Sequence, residues 1–231
     1  GDAGAGVSHQ YNGRHKQVER SQVGVFIAYA QGNTWSWVDG ELFLSEKWFT
    51  KAYAAKRQKA EIPSQRRYQK KTELGWQMIQ RAQAAGIPFV AVTFDSGYGQ
   101  DAWMRDQCQA AGLEYYADVK GDMRVYSPDP SPAFVPNKQG IIPKQPQILS
   151  QWVYSPQEMA DDDETIWQTV TLRPDARGLL QSDFARRTVW TLREDGRAVQ
   201  ETLLLRREGK RISYTLTNAP LTMPLEVMAR R

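Results

Sequence analysis

The chain has 231 residues, 41% hydrophobic and 11% aromatic, enough for one large domain or two small ones, which excludes disorder as its main state. A mean hydropathy of -0.62, with the longest apolar run near Val23–Ala30 and far short of the roughly 18 residues a span needs, excludes a membrane-crossing helix. Its 30 Lys+Arg against 26 Asp+Glu give a net charge of +4, too mild as a whole-chain value to name a partner.

One cysteine, Cys108, forms no internal disulfide, and two histidines, His9 and His15, are too few for a Cys/His zinc cluster. A reducing cytoplasm is the expected compartment. The opening Gly1-Asp2-Ala3-Gly4-Ala5-Gly6 has no Met, no basic n-region and no apolar h-region, so neither a signal peptide nor a natural start is expected, and the chain reads as a fragment.

Gln22 to Tyr29 is short, β-branched and nearly all apolar, the pattern of a strand buried on both faces. Gln31-Gly32-Asn33 turns the chain, and Thr34 to Leu44 pairs back around a second turn signal at Asp39-Gly40. Lys51 to Lys71 has no clean period and reads as a basic connection with one short helix. A helix follows from an N-cap at Thr72, with Leu74, Met78, Ala82 and Ala85 on one face and Gly86 as its stop.

Ile87 to Phe94 is a second buried strand, ending at Asp95. Asp101 caps the next helix, whose apolar positions are Met104, Cys108 and Ala111, with Gly112 closing it. Leu113 to Lys120 alternates apolar and polar residues as a half-buried strand does. The first 120 residues therefore read as ββ followed by αβαβ in one mixed sheet.

From Pro128 to Pro156 there are seven prolines, which deny strand and helix interiors and imply an extended surface connection. Beyond the acidic run Asp161–Glu164, strands are expected at Thr165–Leu172, Arg187–Arg193, Val199–Arg206 and Arg211–Thr217, with a hairpin turn at Glu194-Asp195-Gly196-Arg197. Trp152 and Trp167 are expected in the core of this antiparallel β-region.

Charge is concentrated locally. Lys51 to Lys71 holds eight basic residues and one acid, and of these Arg66, Arg67, Lys70 and Lys71 are the candidate phosphate contacts, point charges without base specificity. The alternative is a solvated face. Asp95 is the most informative acid. A carboxylate at the end of a buried strand, before a glycine loop and a helix, sits where open α/β sheets place functional groups. The competing reading is a helix cap, a task for which Asp101 stands nearer the following helix.

Phe94-Asp95-Ser96-Gly97-Tyr98-Gly99, preceded by Ala84-Ala85-Gly86-Ile87-Pro88-Phe89, resembles the second acidic motif of insertion-sequence transposases of the DDE superfamily, in which Asp-x-x-Tyr-Gly ends a core strand. Gly6–Tyr11, Ser21–Phe26, Glu41–Trp48 and Lys71–Leu74 resemble further segments of that family in order, so the likeness covers about residues 6 to 121. The proline-rich stretch and β-region are similar in kind to the branch with a β-domain inserted before the last acidic helix.

The resemblance implies an α/β fold: a partial ribonuclease H-like mixed sheet with helices, plus an inserted mainly antiparallel β-region. It divides the chain into a core at 1–127, N-terminally incomplete, a linker at 128–164, the β-region at 165–218 and the start of a return to the core at 219–231. It further implies three carboxylates holding two Mg²⁺ or Mn²⁺ ions about 3.5–4 Å apart for phosphodiester chemistry, double-stranded transposon-end DNA as partner, a homodimer in the parent complex and a bacterial cytoplasm. Asp95 matches the second carboxylate. The first lies about a dozen residues upstream of Gly6 in the family, where this chain offers only Asp2. The last belongs on a helix after the β-region, where Glu226 stands too close to Pro224. The chain is expected to lack two of three ligands and to be inactive by itself.

Other signals are weaker. His9 and His15 suit a polar loop better than a ligand pair, Asp161–Glu164 lacks the spacing of a calcium loop, and Cys108 falls on a core face as packing. Two rivals remain open: a non-enzymatic DNA-binding remnant or regulator of the same fold, and a hydrolase acting on a small ligand at Asp95.

Overall fold

The computed structural model describes residues 4–133, 135–143, 148, 152–175 and 178–231, the side chain of Asp175 excepted. The chain divides into two compact units, Gly1–Phe89 and Val90–Arg231.

In the first unit, β1 (Ser8–Asn12) and β2 (Gln17–Ser21) form an antiparallel hairpin in a stretch that the sequence presents only as polar. A second hairpin joins β3 (Val23–Gln31) to β4 (Thr34–Phe43) through a turn whose Gly32 has φ +60°. This pair makes its own two-stranded sheet rather than part of a single mixed sheet with the later strands. β3 is not buried on both faces either: Val25 is buried, but Phe26 is 59% exposed.

Asp39-Gly40 is not a turn. β4 runs through it, with a register shift opposite Ile27/Ala28. The glycine serves a close approach instead: a Cβ on Gly40 would stand 2.5 Å from the Phe26 ring, and one on Gly24 2.4 Å from it. The ring lies over both backbones where no side chain fits.

α1 (Ala54–Lys59) is the short helix of the basic connection. α2 (Lys71–Ala84) buries Leu74, Met78, Ile79 and Ala82 and packs on β3 and β4. It starts two positions earlier than a Thr72 cap would have it; Thr72 is buried inside the first turn, and the Lys70 N–H donates to the Glu73 carboxylate at 2.7 Å. Gly86, at φ +72°, ends it as expected.

The second unit is one mixed sheet. It contains β5 (Ala91–Phe94), β6 (Glu114–Val119), β7 (Val125–Tyr126), β8 (Val153–Tyr154), β9 (Gln168–Asp175), β10 (Gly178–Leu192), β11 (Ala198–Glu208) and β12 (Arg211–Thr217). Among the described residues the order is β5-β6-β12-β11-β10-β7-β8, with β9 also on β10. Only β5 and β6 are parallel; the other pairs are antiparallel. This is the mixed, mainly antiparallel α/β architecture expected of a partial ribonuclease H-like fold. The β-region is continuous with the β5–β6 pair, because β12 lies beside β6. Tyr115, Ala117 and Val119 are buried and Asp118 and Lys120 exposed, as the alternation predicts; Tyr116 alone departs from it, buried because Phe184, Leu204 and Met228 pack on its face.

Both faces of the sheet are covered. On one, Leu203 and Leu205 of β11, Leu216 and Val119 pack with Met159 and Ala160 of α5 (Pro156–Asp161). On the other, Leu204, Tyr116, Phe184 and Val170 pack with Leu225 and Met228 of α6 (Leu225–Ala229). The unbroken run Leu203-Leu204-Leu205 feeds both cores because neighbouring side chains on a strand point to opposite faces.

α5 begins where the prolines end. Ser155 caps it, Pro156 occupies the first turn, and Glu158 returns a bond to the Ser155 N–H at 2.7 Å, a complete capping box. The hairpin at residues 193–197 is as expected, with Gly196 at φ +86°, but β10 starts nine residues before Arg187. Trp167 packs against the first core cluster under the Arg207 guanidinium, 3.8 Å from its ring centre. Trp152 is 60% exposed and outside that core. Among the described residues no helix is long and apolar enough to cross a membrane.

Candidate functional site

Asp95 follows the last paired residue of β5. Phe94 is in register with Ala117 of β6, so Asp95 and Asp118 are the next residues on two parallel neighbours. Both carboxylates are exposed and line an open cleft of about 340 Å³. Thr93, Ser213, Thr215, Arg206 and Arg231 line it too, and Met228 and Ala229 of α6 form a wall. The helix after the β-region thus borders the same cleft as Asp95.

The Asp95 side chain does cap a helix. Its Oδ1 accepts from the Gly97 N–H at 2.8 Å, opening the single turn α3 (Ser96–Gly99). Asp101 caps α4 (Ala102–Ala110) in the same way, accepting from Trp103 at 3.0 Å. Capping and cleft lining coexist at Asp95. Burial, and after it the Asp95 charge, push the Tyr98 phenol up to about 12, which keeps it neutral.

Several polar groups of the cleft are paired locally, although the buried Arg206 Nε has no hydrogen-bond partner among the described residues. Asp118 accepts from the Thr215 hydroxyl at 2.7 Å, Arg206 pairs with Glu208, and Arg231 reaches Glu114 at 3.1 Å. Among the described residues no three His, Cys, Asp or Glu side chains come together as a metal-binding group. Two carboxylates among hydroxyls and guanidinium groups do not fit a two-cation centre. Glu226 is exposed in the first turn of α6 and is not in the cleft lining. Asp2 lies outside the described residues.

Behind α3 is a charged network that sequence reasoning missed. Arg105 of α4 is 1% exposed and its Nε donates to Glu201 of β11 at 2.8 Å, with Glu201 wholly buried. Tyr115 and Thr191 hydroxyls donate to the same carboxylate, and Arg193 lies 3.5 Å from it while pairing with Asp106 at 2.7 Å. Burial opposes ionisation of Glu201 and is the largest single influence, but Arg105, Arg193 and the two hydroxyls together hold its carboxyl below the usual range. The only local signal was Arg105 beside Met104 and three residues from Cys108, at the margin of the apolar stripe.

The basic candidates all lie in the first unit. Arg66 is half-buried and paired with Glu41, and Arg81 bridges Asp39 at 2.7 Å. Arg67 is exposed and donates to the Ser64 carbonyl at 2.7 Å; Lys70 is exposed; Lys71 Nζ sits 5.1 Å from the Phe43 ring centre. Arg66 is therefore tied into the fold, whereas Arg67 and Lys70 present their charge to solvent. Residues 1–89 hold 13 Lys+Arg and 7 Asp+Glu, a net +6, against 17 and 19, a net -2, in residues 90–231.

His9 is exposed on β1, and His15 Nδ1 pairs with Glu19 at 2.7 Å. The acidic run is engaged by Arg187, which meets Asp162 at 3.4 Å and Glu164 at 2.9 Å. Cys108 is completely buried, and burial pushes its thiol up to about 12. The folded chain is expected to leave it unmodified by iodoacetamide at pH 7.5, with stoichiometric labelling after denaturation; rapid labelling of the folded chain contradicts its core placement.

The family model described as DDE superfamily endonuclease matches residues 1–179. Comparison with curated proteins and with solved structures gives no match.

Proposed function

We propose, from the premise that the chain belongs to the DDE superfamily of endonucleases, that it is part of an insertion-sequence transposase that cuts and joins transposon-end DNA, with Asp95 as the second catalytic carboxylate. The observation that carries this reading is the placement of Asp95: exposed, at the C-terminal end of a parallel strand, in a cleft that α6 also borders. In the division that goes with it, 1–127 is the ribonuclease H-like core, 128–164 the linker, 165–218 the inserted β-region and 219–231 the return to the core. The parent complex is read as a homodimer working in the bacterial cytoplasm.

A divalent cation, Mg²⁺ or Mn²⁺, is the cofactor this reading implies for the complete enzyme, where it supplies charge stabilisation for phosphoryl transfer. The described residues do not form its site, so this chain by itself is read as inactive. Its own contribution is to bind and orient duplex DNA. The net +6 of residues 1–89 supports that role, with Arg67 and Lys70 as outward-facing phosphate contacts.

Fluorescence anisotropy with duplex DNA tests the binding. The affinity is expected to fall steeply with salt, and Arg67→Ala/Lys70→Ala to reduce the log–log slope by about 2. With Mg²⁺ or Mn²⁺ no cleavage is expected. Robust nicking abolished by Asp95→Ala contradicts the missing ligands; absence of DNA binding at low salt contradicts the reading and favours a small-ligand hydrolase. A second reading, a DNA-binding remnant or regulator without catalysis, is favoured by the lack of a carboxylate cluster among the described residues. Cleavage restored by flanking sequence supplying the other acids excludes it.

A further inference from the structure

We propose that the buried Arg105–Glu201 pair is a positioning device for Asp95, and that Arg105 is a positioning residue of the candidate site. The proposal rests on the endonuclease reading for its functional meaning and on the following geometry for its physics.

α3 is a single turn, too short to hold itself. Three contacts fix it. Its Gly99 N–H donates back to the Asp95 carbonyl at 2.7 Å, and Gly99 presses so closely on β6 that a Cβ there would lie 2.0 Å from the Asp118 carbonyl oxygen. The Gly99 carbonyl then accepts from Arg105 Nη1, while Arg105 Nε donates to Glu201 at 2.8 Å. One guanidinium therefore links the carbonyl end of the Asp95 turn to an acid in the middle of the sheet. From Glu201 to the Asp95 backbone there are three successive hydrogen bonds, the first two to the fixed fork of a side chain 1% exposed.

A buried ion pair is a poor way to gain stability, since two desolvated charges seldom outperform apolar residues of the same size. Its advantage is direction. A planar guanidinium donates along fixed lines, so it holds two acceptors at a set separation. Here those acceptors are the sheet and the turn that carries the cleft carboxylate. Glu201 keeps the fork oriented, and Tyr115 and Thr191 keep Glu201 oriented.

Two variants separate positioning from stability. Arg105→Lys keeps the charge beside Glu201 but replaces the fork with a point donor. Arg105→Met/Glu201→Gln removes the pair yet keeps one side-chain oxygen to accept from the Tyr115 hydroxyl, turns an amide NH2 toward the Thr191 hydroxyl oxygen, and leaves Arg193 with Asp106. Amide hydrogen exchange in the free chain is read at Gly97 and Gly99, against Leu203 of β11 as the internal reference. In both variants the two glycine amides are expected to exchange about tenfold faster relative to Leu203, the factor that one lost hydrogen bond to a charged group carries. The Asp95 carboxyl ¹³C signal is expected to shift with them. Glycine amides that keep their wild-type rates relative to Leu203 overturn the proposal. Failure of both variants to fold overturns it too, since the pair is then a stability element. These readouts need no DNA, so their failure leaves the endonuclease reading standing, and loss of DNA binding leaves the positioning role standing.

Discussion

Gly99→Ala is expected to cost about 3 kcal/mol, the upper end of what overpacking a tight contact does, and to lower the melting midpoint of the second unit by roughly 6–12 °C. The added methyl would lie 2.0 Å from the Asp118 carbonyl oxygen and 2.9 Å from the Ala117 carbonyl carbon. Both are backbone atoms of an interior strand paired on both sides, so neither can swing away as a side chain does. The whole turn must lift, which separates Gly99 from Arg105 and moves Asp95 out of the cleft. Gly97→Ala is the control. Its methyl meets only the Asp95 Oδ1 atom, at 3.0 Å, and a side-chain oxygen can give; the expected cost is below about 1 kcal/mol. Thermal unfolding of the two variants beside the wild type checks the contrast. Equal midpoints contradict the close packing of α3 on β6.

Glu201→Ala is expected to be at least as damaging. It leaves the Arg105 guanidinium in the interior without its counter-charge and strips the Tyr115 and Thr191 hydroxyls of a shared acceptor. Breaking a buried pair from one side costs about 3–5 kcal/mol, measurable by urea denaturation. Glu201→Gln, which keeps one oxygen as acceptor for one of the two hydroxyls and fills the same space, is expected to cost less. The pair also carries a pH signature. The Glu201 carboxyl is held below its ordinary value in the folded chain, so its contribution is complete above the unfolded pKa of about 4.3 and is lost as pH falls through the lower folded value. The stability difference between wild type and Glu201→Gln should therefore be constant near neutrality and shrink in acid. A difference that grows on acidification contradicts the sign of the shift.

What the sequence revealed and what it hid divide along a physical line. The stops of α2 and α4 at Gly86 and Gly112, both with positive φ, are local demands of backbone conformation. So are the turn around Gly196 and the bounds of β12, Arg211–Thr217. The cleft position of Asp95 was legible for a related reason: strand, acid, glycine turn and helix occur in sequence order. Long-range pairing was not legible. β6 alternates apolar and polar residues as a half-exposed strand would, and only Phe184, Leu204 and Met228, all distant in sequence, bury Tyr116. Arg105 reads as a solvated charge because its partner is 96 residues away. Asp39-Gly40 carries turn chemistry but is used for the approach of Phe26, a tertiary contact that turn propensity cannot register. Arg66 is a candidate phosphate contact by sequence, but Glu41, 25 residues earlier, pairs with it in the fold.

The unit that carries the excess positive charge and the unit that carries Asp95 are distinct. This gives a division of labour within the proposed DNA complex. On that reading, the net +6 of residues 1–89 is the source of a non-specific attraction that salt weakens. Residues 90–231 supply a rigid sheet, a pinned turn and an exposed acid.

The most direct test follows the Asp95 carboxyl ¹³C signal while duplex DNA is added at low salt in the presence of Mg²⁺. The signal should move in step with the binding isotherm and return as salt is raised, with Asp95→Asn leaving the overall affinity nearly unchanged. A carboxyl signal that stays still while the DNA saturates the chain contradicts the assignment of Asp95 to the DNA-facing site.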